Sequence, residues 1–221
     1  MESISTAESA RRYVFTPPPR VAVPVGDGDA SFPVHRVYCV GRNYADHVAE
    51  MGGDPKSEPP VFFSKPASAL VTGGESVRYP QATSDLHHEV ELVVALRSGG
   101  RELSTERADD CIYGYAVGID FTRRDLQAVA KKHGRPWDTA KGFDQSAPLS
   151  NITPREAFEP RADSAIALRV NGEIRQEAVL GQMIWSVAEI IAQLSQLYEL
   201  RAGDLIYTGT PAGVAAVSRG D

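Results

Sequence analysis

The chain is poor in cysteine, in long apolar runs and in positive charge, and each shortage excludes something. Only two cysteines occur in 221 residues, Cys39 and Cys111, both within apolar strand-like segments and without C-x-x-C spacing. That rules against a disulfide scaffold and predicts two buried thiols in a reducing cytoplasm. The longest apolar stretch, Leu92 to Leu96, falls far short of the ~20 residues a membrane-spanning helix needs. Met1 to Arg12 is polar and lacks the apolar core of an export signal. No membrane partner is expected, and a cytoplasmic location is. Lys and Arg number 23 against 29 Asp and Glu, a formal net charge of −6, and Lys131-Lys132 is the only Lys-Lys pair. Nucleic-acid binding needs clustered cations to neutralise phosphates, so it is excluded as a partner class. What is present, 42% hydrophobic and 24% charged residues, is the composition of a folded globular domain with an ample core.

Residues 1–36 are rich in Pro, Gly and Asp and carry Pro17-Pro18-Pro19. They read as an irregular N-terminal arm ending in a short strand or two, with one domain over 37–221. From Val37 onward, β-branched and aromatic runs alternate with turn residues. The predicted strands are Val37–Val40, Val61–Ser64, Val90–Leu96, Ile112–Ile119, Ile166–Val170 and Leu205–Thr208. Asn171-Gly172 is the strongest hairpin signal, because a type I′ turn needs positive φ at both central residues. Ser186 to Glu189 forms a capping box for a helix burying Val187, Ile190, Ile191, Leu194, Leu197 and Tyr198, with Gly203 as its stop. Arg124 to His133 is a shorter amphipathic helix ended by Gly134 and Pro136. Many short strands and few helices predict an α+β, mainly β fold.

The segment from Asp85 to Val94 carries the sharpest chemical signal. On a strand, Glu89 and Glu91 share one face while Val90, Leu92 and Val94 take the other. Two adjacent anions are either a solvated edge or a pair held by a cation. Asp120, delivered at the end of the apolar run Ile112–Ile119, supplies a third carboxylate. Three such oxygens suit Mg²⁺, Mn²⁺ or Ca²⁺. The zincin pattern is absent, since Leu92 stands where its second histidine belongs. An iron site of two histidines and a carboxylate through His87 is an alternative; hydrogen-bonding histidines beside the carboxylates are the other.

Five segments in register then resemble a known family. They are Asp85-Leu-His-His-Glu-Val-Glu-Leu92, Gly114 through Gln127, Ala140-Lys-Gly-Phe-Asp144, Tyr207 through Val214, and Gly41-Arg-Asn-Tyr-Ala-Asp-His47-Val-Ala-Glu50-Met51. Together, from about Val37 to Val214, they are similar to the fumarylacetoacetate hydrolase superfamily, and the last to its acylpyruvase branch. The Pro-rich opening from Pro17 is similar to that of the fumarylpyruvate-cleaving members of bacterial gentisate catabolism. The resemblance implies a rolled, mixed β-sheet, a homodimer, and Mg²⁺ or Mn²⁺ held by Glu89, Glu91 and Asp120. It also implies hydrolysis of a carbon–carbon bond in a small-molecule substrate, a 2,4-dioxo acid. Family chains usually continue beyond the Thr-Gly-Thr-Pro loop, so a C-terminal stretch past Asp221 is expected to be missing.

Hydrolysis between C3 and C4 of such an acid expels a pyruvate enolate, so the site needs cations near that anion. Lys141, carried over from the family motif, is the expected second cation. His47 and Glu50 lie three apart, so on a helical turn they share a face, and Glu50 would orient His47 as the base that activates water. The short segment Tyr44–Met51, bounded by Asn43 and Gly52-Gly53, is expected to act as a lid. Arg124 and Gln127, one turn apart, are expected to bind substrate. Arg42 suits a distal carboxylate, and the loop of Thr210 a carboxylate held by backbone N–H groups. Lys65 is equally a structural or a substrate contact. Two rival functions remain open: an oxaloacetate decarboxylase or related isomerase sharing the same enolate, and a metal-dependent binding module without turnover.

Overall fold

The computed structural model describes residues 12–46 and 59–221. Its centre is a six-stranded mixed sheet. The strands run, edge to edge, Thr153–Pro154, Ile112–Ile119, Val90–Leu96, Leu205–Tyr207, Val37–Gly41 and Val61–Lys65. Leu205–Tyr207 is parallel to Val37–Gly41 and antiparallel to Val90–Leu96. Each long strand begins and ends within a residue of its expected position, because β-branched runs bounded by Gly, Asp or Pro leave little choice of register.

All seven residues of Val90–Leu96 are buried, so the sheet is covered on both faces. Val90, Leu92, Val94 and Leu96 join Tyr38, Val40 and Ile206 against Ile190, Ile191 and Leu194 of the helix Val187–Leu197. Val93 and Ala95 face the other way, onto Cys39, Leu205 and Tyr207, under a layer containing Val23, Phe32, Leu149 and Ile152. The N-terminal segment therefore contributes to the core: Ala22–Pro24 pairs with Ser31–Pro33, and Val25 bridges Ile152. Both cysteines are buried free thiols.

The turn chemistry follows the sequence. Asn171 and Gly172, at φ 53° and 85°, close the hairpin Ala165–Val170 with Glu173–Val179. Ser186 and Glu189 form the reciprocal capping box. Two expectations are corrected here. The helix stops at Tyr198, whose backbone is extended at φ −135°, ψ 146°; the left-handed Gly203 belongs to the following turn, where its N–H donates to Leu96 O. Leu197 is 64% exposed, so the buried face ends one turn early.

Candidate metal centre

The three carboxylates come from two neighbouring strands and the break between them. Glu89 sits between the short strand Leu86–His88 and Val90–Leu96, Glu91 lies inside the latter, and Asp120 follows Ile119 directly. The Asp120 N–H donates to Glu89 O at 2.8 Å, and Glu91 pairs with Gly118 across the ladder. A ligand oxygen from each residue falls within 4.8 Å of the others. Glu89, Glu91 and Asp120 are only 5%, 1% and 0% exposed, so a solvated polar edge is excluded.

Cations surround them unequally. Lys141, on the short helix Asp138–Lys141, places its ammonium 2.8 Å from Glu89 Oε2 and 2.6 Å from Asp120 Oδ2. Burial by itself lowers the Lys141 pKa, but Asp120 and Glu89 more than reverse this and hold it above its ordinary value. Lys65 Nζ lies 2.8 Å from Asp120 Oδ1, and it also donates to the carbonyls of Phe121 and Lys141. Arg124 donates to Glu89 Oε1 and to Gln127 Oε1. Glu91 receives the Gly209 N–H at 2.7 Å and, among the described residues, pairs with no basic side chain. Burial first, then the Asp120 and Glu89 charges, push its pKa well above the usual carboxylate range, against Lys141 and the Gly209 N–H.

These features fit a divalent metal ion. Three buried carboxylate oxygens are hard donors of the kind that Mg²⁺ and Mn²⁺ prefer. Asp120 Oδ1, although close to Lys65, makes no aligned hydrogen bond. The demand for positive charge falls on Glu91, which burial and like charges disfavour as an anion and which no cation pairs among the described residues.

The loop after Leu205–Tyr207 closes one wall. Gly209 has φ 100°, and a Cβ there would stand 2.6 Å from Asn43 Cβ, so only glycine lets the loop approach this closely. Asn43 ties the same wall together, donating to Thr208 O and Trp185 O and accepting from the Trp185 N–H. Its neighbour Arg42 is left-handed at φ 62°, a conformation that costs a non-glycine residue about 1 kcal/mol and often marks a functional position. Gln176 reaches in from the hairpin. Its Oε1 accepts from His88 Nδ1 and the Val90 N–H, and its Nε2 donates to Thr210 Oγ1 and Pro211 O. One amide thereby fixes both flanks of Glu89 and the loop of Thr210.

Arg42, Arg124, Gln127, Lys141 and Thr210 line one small cavity with the three carboxylates. His47 and Glu50 lie outside the described residues, as does the expected lid from His47 onward; at its described start, Tyr44 is buried and bridged to Met183. Among the described residues, no histidine belongs to a metal-ligand cluster: His88 bonds Gln176 and His87 pairs with Asp85 at 2.8 Å. Sequence reasoning passed over Lys131, Trp137 and Phe63, which line the same cavity. Lys131 was within reach, since Arg124, Gln127 and Lys131 follow i, i+3, i+7 spacing on one helix face; the two aromatics carry no local signal.

A mixed sheet that gathers three buried carboxylates and a set of basic side chains around one cavity has the make-up of an enzyme site fit for a divalent metal ion and a small molecule. The profile of the fumarylacetoacetate (FAA) hydrolase C-terminal domain matches residues 36–221, and the chain belongs to this family of carbon–carbon bond hydrolases. A fumarylpyruvate hydrolase from Ralstonia sp. is 48% identical over 168 residues, covering 76% of this chain and 87% of that protein. An oxaloacetate tautomerase from Escherichia coli K12 is 42% identical over 192 residues, 86% of this chain and 87% of the relative. Among solved structures, fumarylpyruvate hydrolase from Pseudomonas aeruginosa, in complex with Mn²⁺ and pyruvate, superposes with a TM-score of 0.91 at 48% identity, over 95% of this chain and 91% of the other.

Proposed function

We propose that this enzyme hydrolyses the C3–C4 bond of a 2,4-dioxo acid, with fumarylpyruvate as substrate and fumarate and pyruvate as products. The observation that carries the reading is Lys141, a buried ammonium bridging Glu89 and Asp120 in a cavity otherwise lined by Arg42, Arg124 and Gln127. Glu89, Glu91 and Asp120 are the residues that would hold Mg²⁺ or Mn²⁺, with Ca²⁺ a third candidate. When bound, the cation supplies positive charge that polarises the 2-oxo group. The chain's own residues supply the rest. Lys141 stays protonated and offers N–H donors to the anion that builds up when the bond breaks. Arg124 and Gln127 are coupled by a hydrogen bond, so together they present a rigid polar wall that orients the carboxylate end of the substrate. Thr210 and its loop close the opposite wall. His47, oriented by Glu50, takes the proton from water that attacks C4, an assignment resting on the sequence pattern alone. We place the enzyme in the cytoplasm as a homodimer serving gentisate breakdown, on family resemblance.

A second reading is favoured by the oxaloacetate tautomerase relatives. Decarboxylation of oxaloacetate releases CO2 and leaves the same pyruvate enolate, while its enolisation moves a C3 proton and gives oxaloacetate's own enolate; both build charge on the 2-oxo oxygen, and neither requires activated water. A panel of fumarylpyruvate, maleylpyruvate, acetylpyruvate and oxaloacetate, each with and without Mn²⁺ or Mg²⁺, separates them. Metal-dependent loss of fumarylpyruvate absorbance with equimolar fumarate and pyruvate is expected. His47→Ala should abolish that reaction and spare oxaloacetate chemistry. Failure to cleave any 2,4-dioxo acid with either metal would refute the hydrolase reading.

A further inference from the structure

The cavity holds four basic side chains besides its carboxylates, and three of them already have partners. Arg124 is taken by Glu89 and Gln127, Lys141 by Glu89 and Asp120, and Arg42 is likewise engaged. Lys131 differs. Among the described residues it makes no ion pair, and its ammonium instead stands 5.3 Å over the centre of the Trp137 ring, at the exposed mouth of the cavity. Trp137 packs against Phe63 with centroids 5.9 Å apart, and the Phe63 ring lies 5.1 Å from Lys141 Nζ. The two ammonium groups are thus joined by a bent shelf of two aromatic rings tilted 58° to each other, one cation deep at the carboxylates and one at the rim.

We infer that this shelf is the seat of the acyl group, and that Lys131 binds a second carboxylate at its far end, which makes the enzyme selective for dicarboxylic dioxo acids. The inference rests on the hydrolase reading above and specifies its substrate class. An unsaturated chain gains apolar contact along the two rings, and a carboxylate at its end reaches an ammonium that makes no ion pair among the described residues. The surroundings reinforce the demand. Burial of the Lys131 stem, then the nearby charges of Arg124 and Arg42, bring its pKa down to about 8, with Glu89 opposing and Lys141 adding to the fall. An anion arriving at the rim relieves that crowding. A plain surface lysine snorkelling over a tryptophan would carry no such selectivity.

The test compares two substrates with the same dioxo head: fumarylpyruvate, which ends in a carboxylate, and acetylpyruvate, which ends in a methyl group. Lys131→Met keeps the stem on Trp137 and removes the charge; Lys131→Arg keeps the charge. The ratio of kcat/KM for fumarylpyruvate over acetylpyruvate is expected to fall roughly tenfold or more in Lys131→Met, the size of one lost charge-assisted hydrogen bond. The loss should reside in KM, and Lys131→Arg should restore most of it. An unchanged ratio, or an equal loss on both substrates, would overturn the assignment while leaving the hydrolase reading intact. So would a wild-type enzyme that cleaves acetylpyruvate but not fumarylpyruvate. A wild-type enzyme that cleaves neither removes both proposals together.

Discussion

Asp204 and Asp120 are both completely buried aspartates flanked by basic residues, yet they represent opposite uses of a buried charge. Asp204 lies on the turn before Leu205–Tyr207. Its Oδ1 meets His35 Nδ1 at 2.8 Å and Arg36 Nε at 3.2 Å, while Oδ2 accepts from Arg36 and the Arg201 N–H, both at 2.9 Å. Four nitrogens meet its two oxygens, and the result is a staple between the strand start at Val37 and the next strand in the sheet. Asp120 instead shares its space with Glu89 and Glu91, has an oxygen with no aligned hydrogen bond, and shares the Lys141 ammonium with Glu89 while Lys65 stands at its other oxygen. A buried carboxylate with its own donors is architecture. Carboxylates buried together, one of them with no cation of its own among the described residues, form a site awaiting a cation.

The largest test of this contrast removes one charge from each place. Asp120→Asn should lower kcat/KM by roughly a thousandfold, as for loss of a principal electrostatic contact, with the fold retained; steady-state kinetics and circular dichroism read both. Asp204→Ala should do the reverse. Leaving Arg36 and His35 without their carboxylate should cost about 3–5 kcal/mol of stability, measured by urea unfolding, while the folded fraction keeps its KM.

Metal addition gives the next effect. Mn²⁺ at about a hundredfold over its dissociation constant should stabilise the protein by about 2.7 kcal/mol, a rise in Tm of roughly 5–10 °C for a chain of this size. The Asp204 variant should show the same rise from its lower baseline, and Glu91→Gln should show almost none. Glu91→Gln should nonetheless melt higher than wild type when both are metal-free, because the substitution relieves a carboxylate that burial and like charges disfavour.

The smallest effect concerns cations. Arg36, bonded to Asp204, keeps its pKa above the ordinary value although burial works against it, whereas Lys131, unpaired in the described structure, drops to about 8. Lys131 therefore loses its proton as pH rises through about 8, among Arg42, Arg124, Lys141 and Glu89. KM for fumarylpyruvate relative to acetylpyruvate should rise about twofold at pH 8 and tenfold by pH 9. In Lys131→Arg that rise should vanish, since a guanidinium stays charged throughout.

Much of this molecule was legible locally. Strand limits, the Asn171-Gly172 turn and the Ser186–Glu189 cap depend on neighbours in sequence, and residue type alone determines them. The triad was legible too, because Glu-x-Glu at a strand start and Asp at a strand end are short-range patterns that one sheet brings together. What could not be read was contact across distance. Nothing beside Lys65 shows that its ammonium reaches Asp120, 55 residues away, and nothing beside Gln176 shows that it clasps His88 and Thr210. The early end of the helix at Tyr198 is of the same kind: the apolar spacing continues through Leu197, but Leu197 is exposed while the Tyr198 ring turns onto Tyr38 of the sheet, with centroids 5.0 Å apart. Trp137 follows a Gly-x-Pro turn and looks like any loop aromatic until Phe63 and Lys131 are placed around it.

The most direct measurement is a calorimetric titration of metal-free protein with Mn²⁺. One site per chain is predicted for wild type and for Asp204→Asn, with no measurable binding to Asp120→Asn. Equal binding to wild type and Asp120→Asn would contradict the account, because the metal would then lie somewhere other than among Glu89, Glu91 and Asp120.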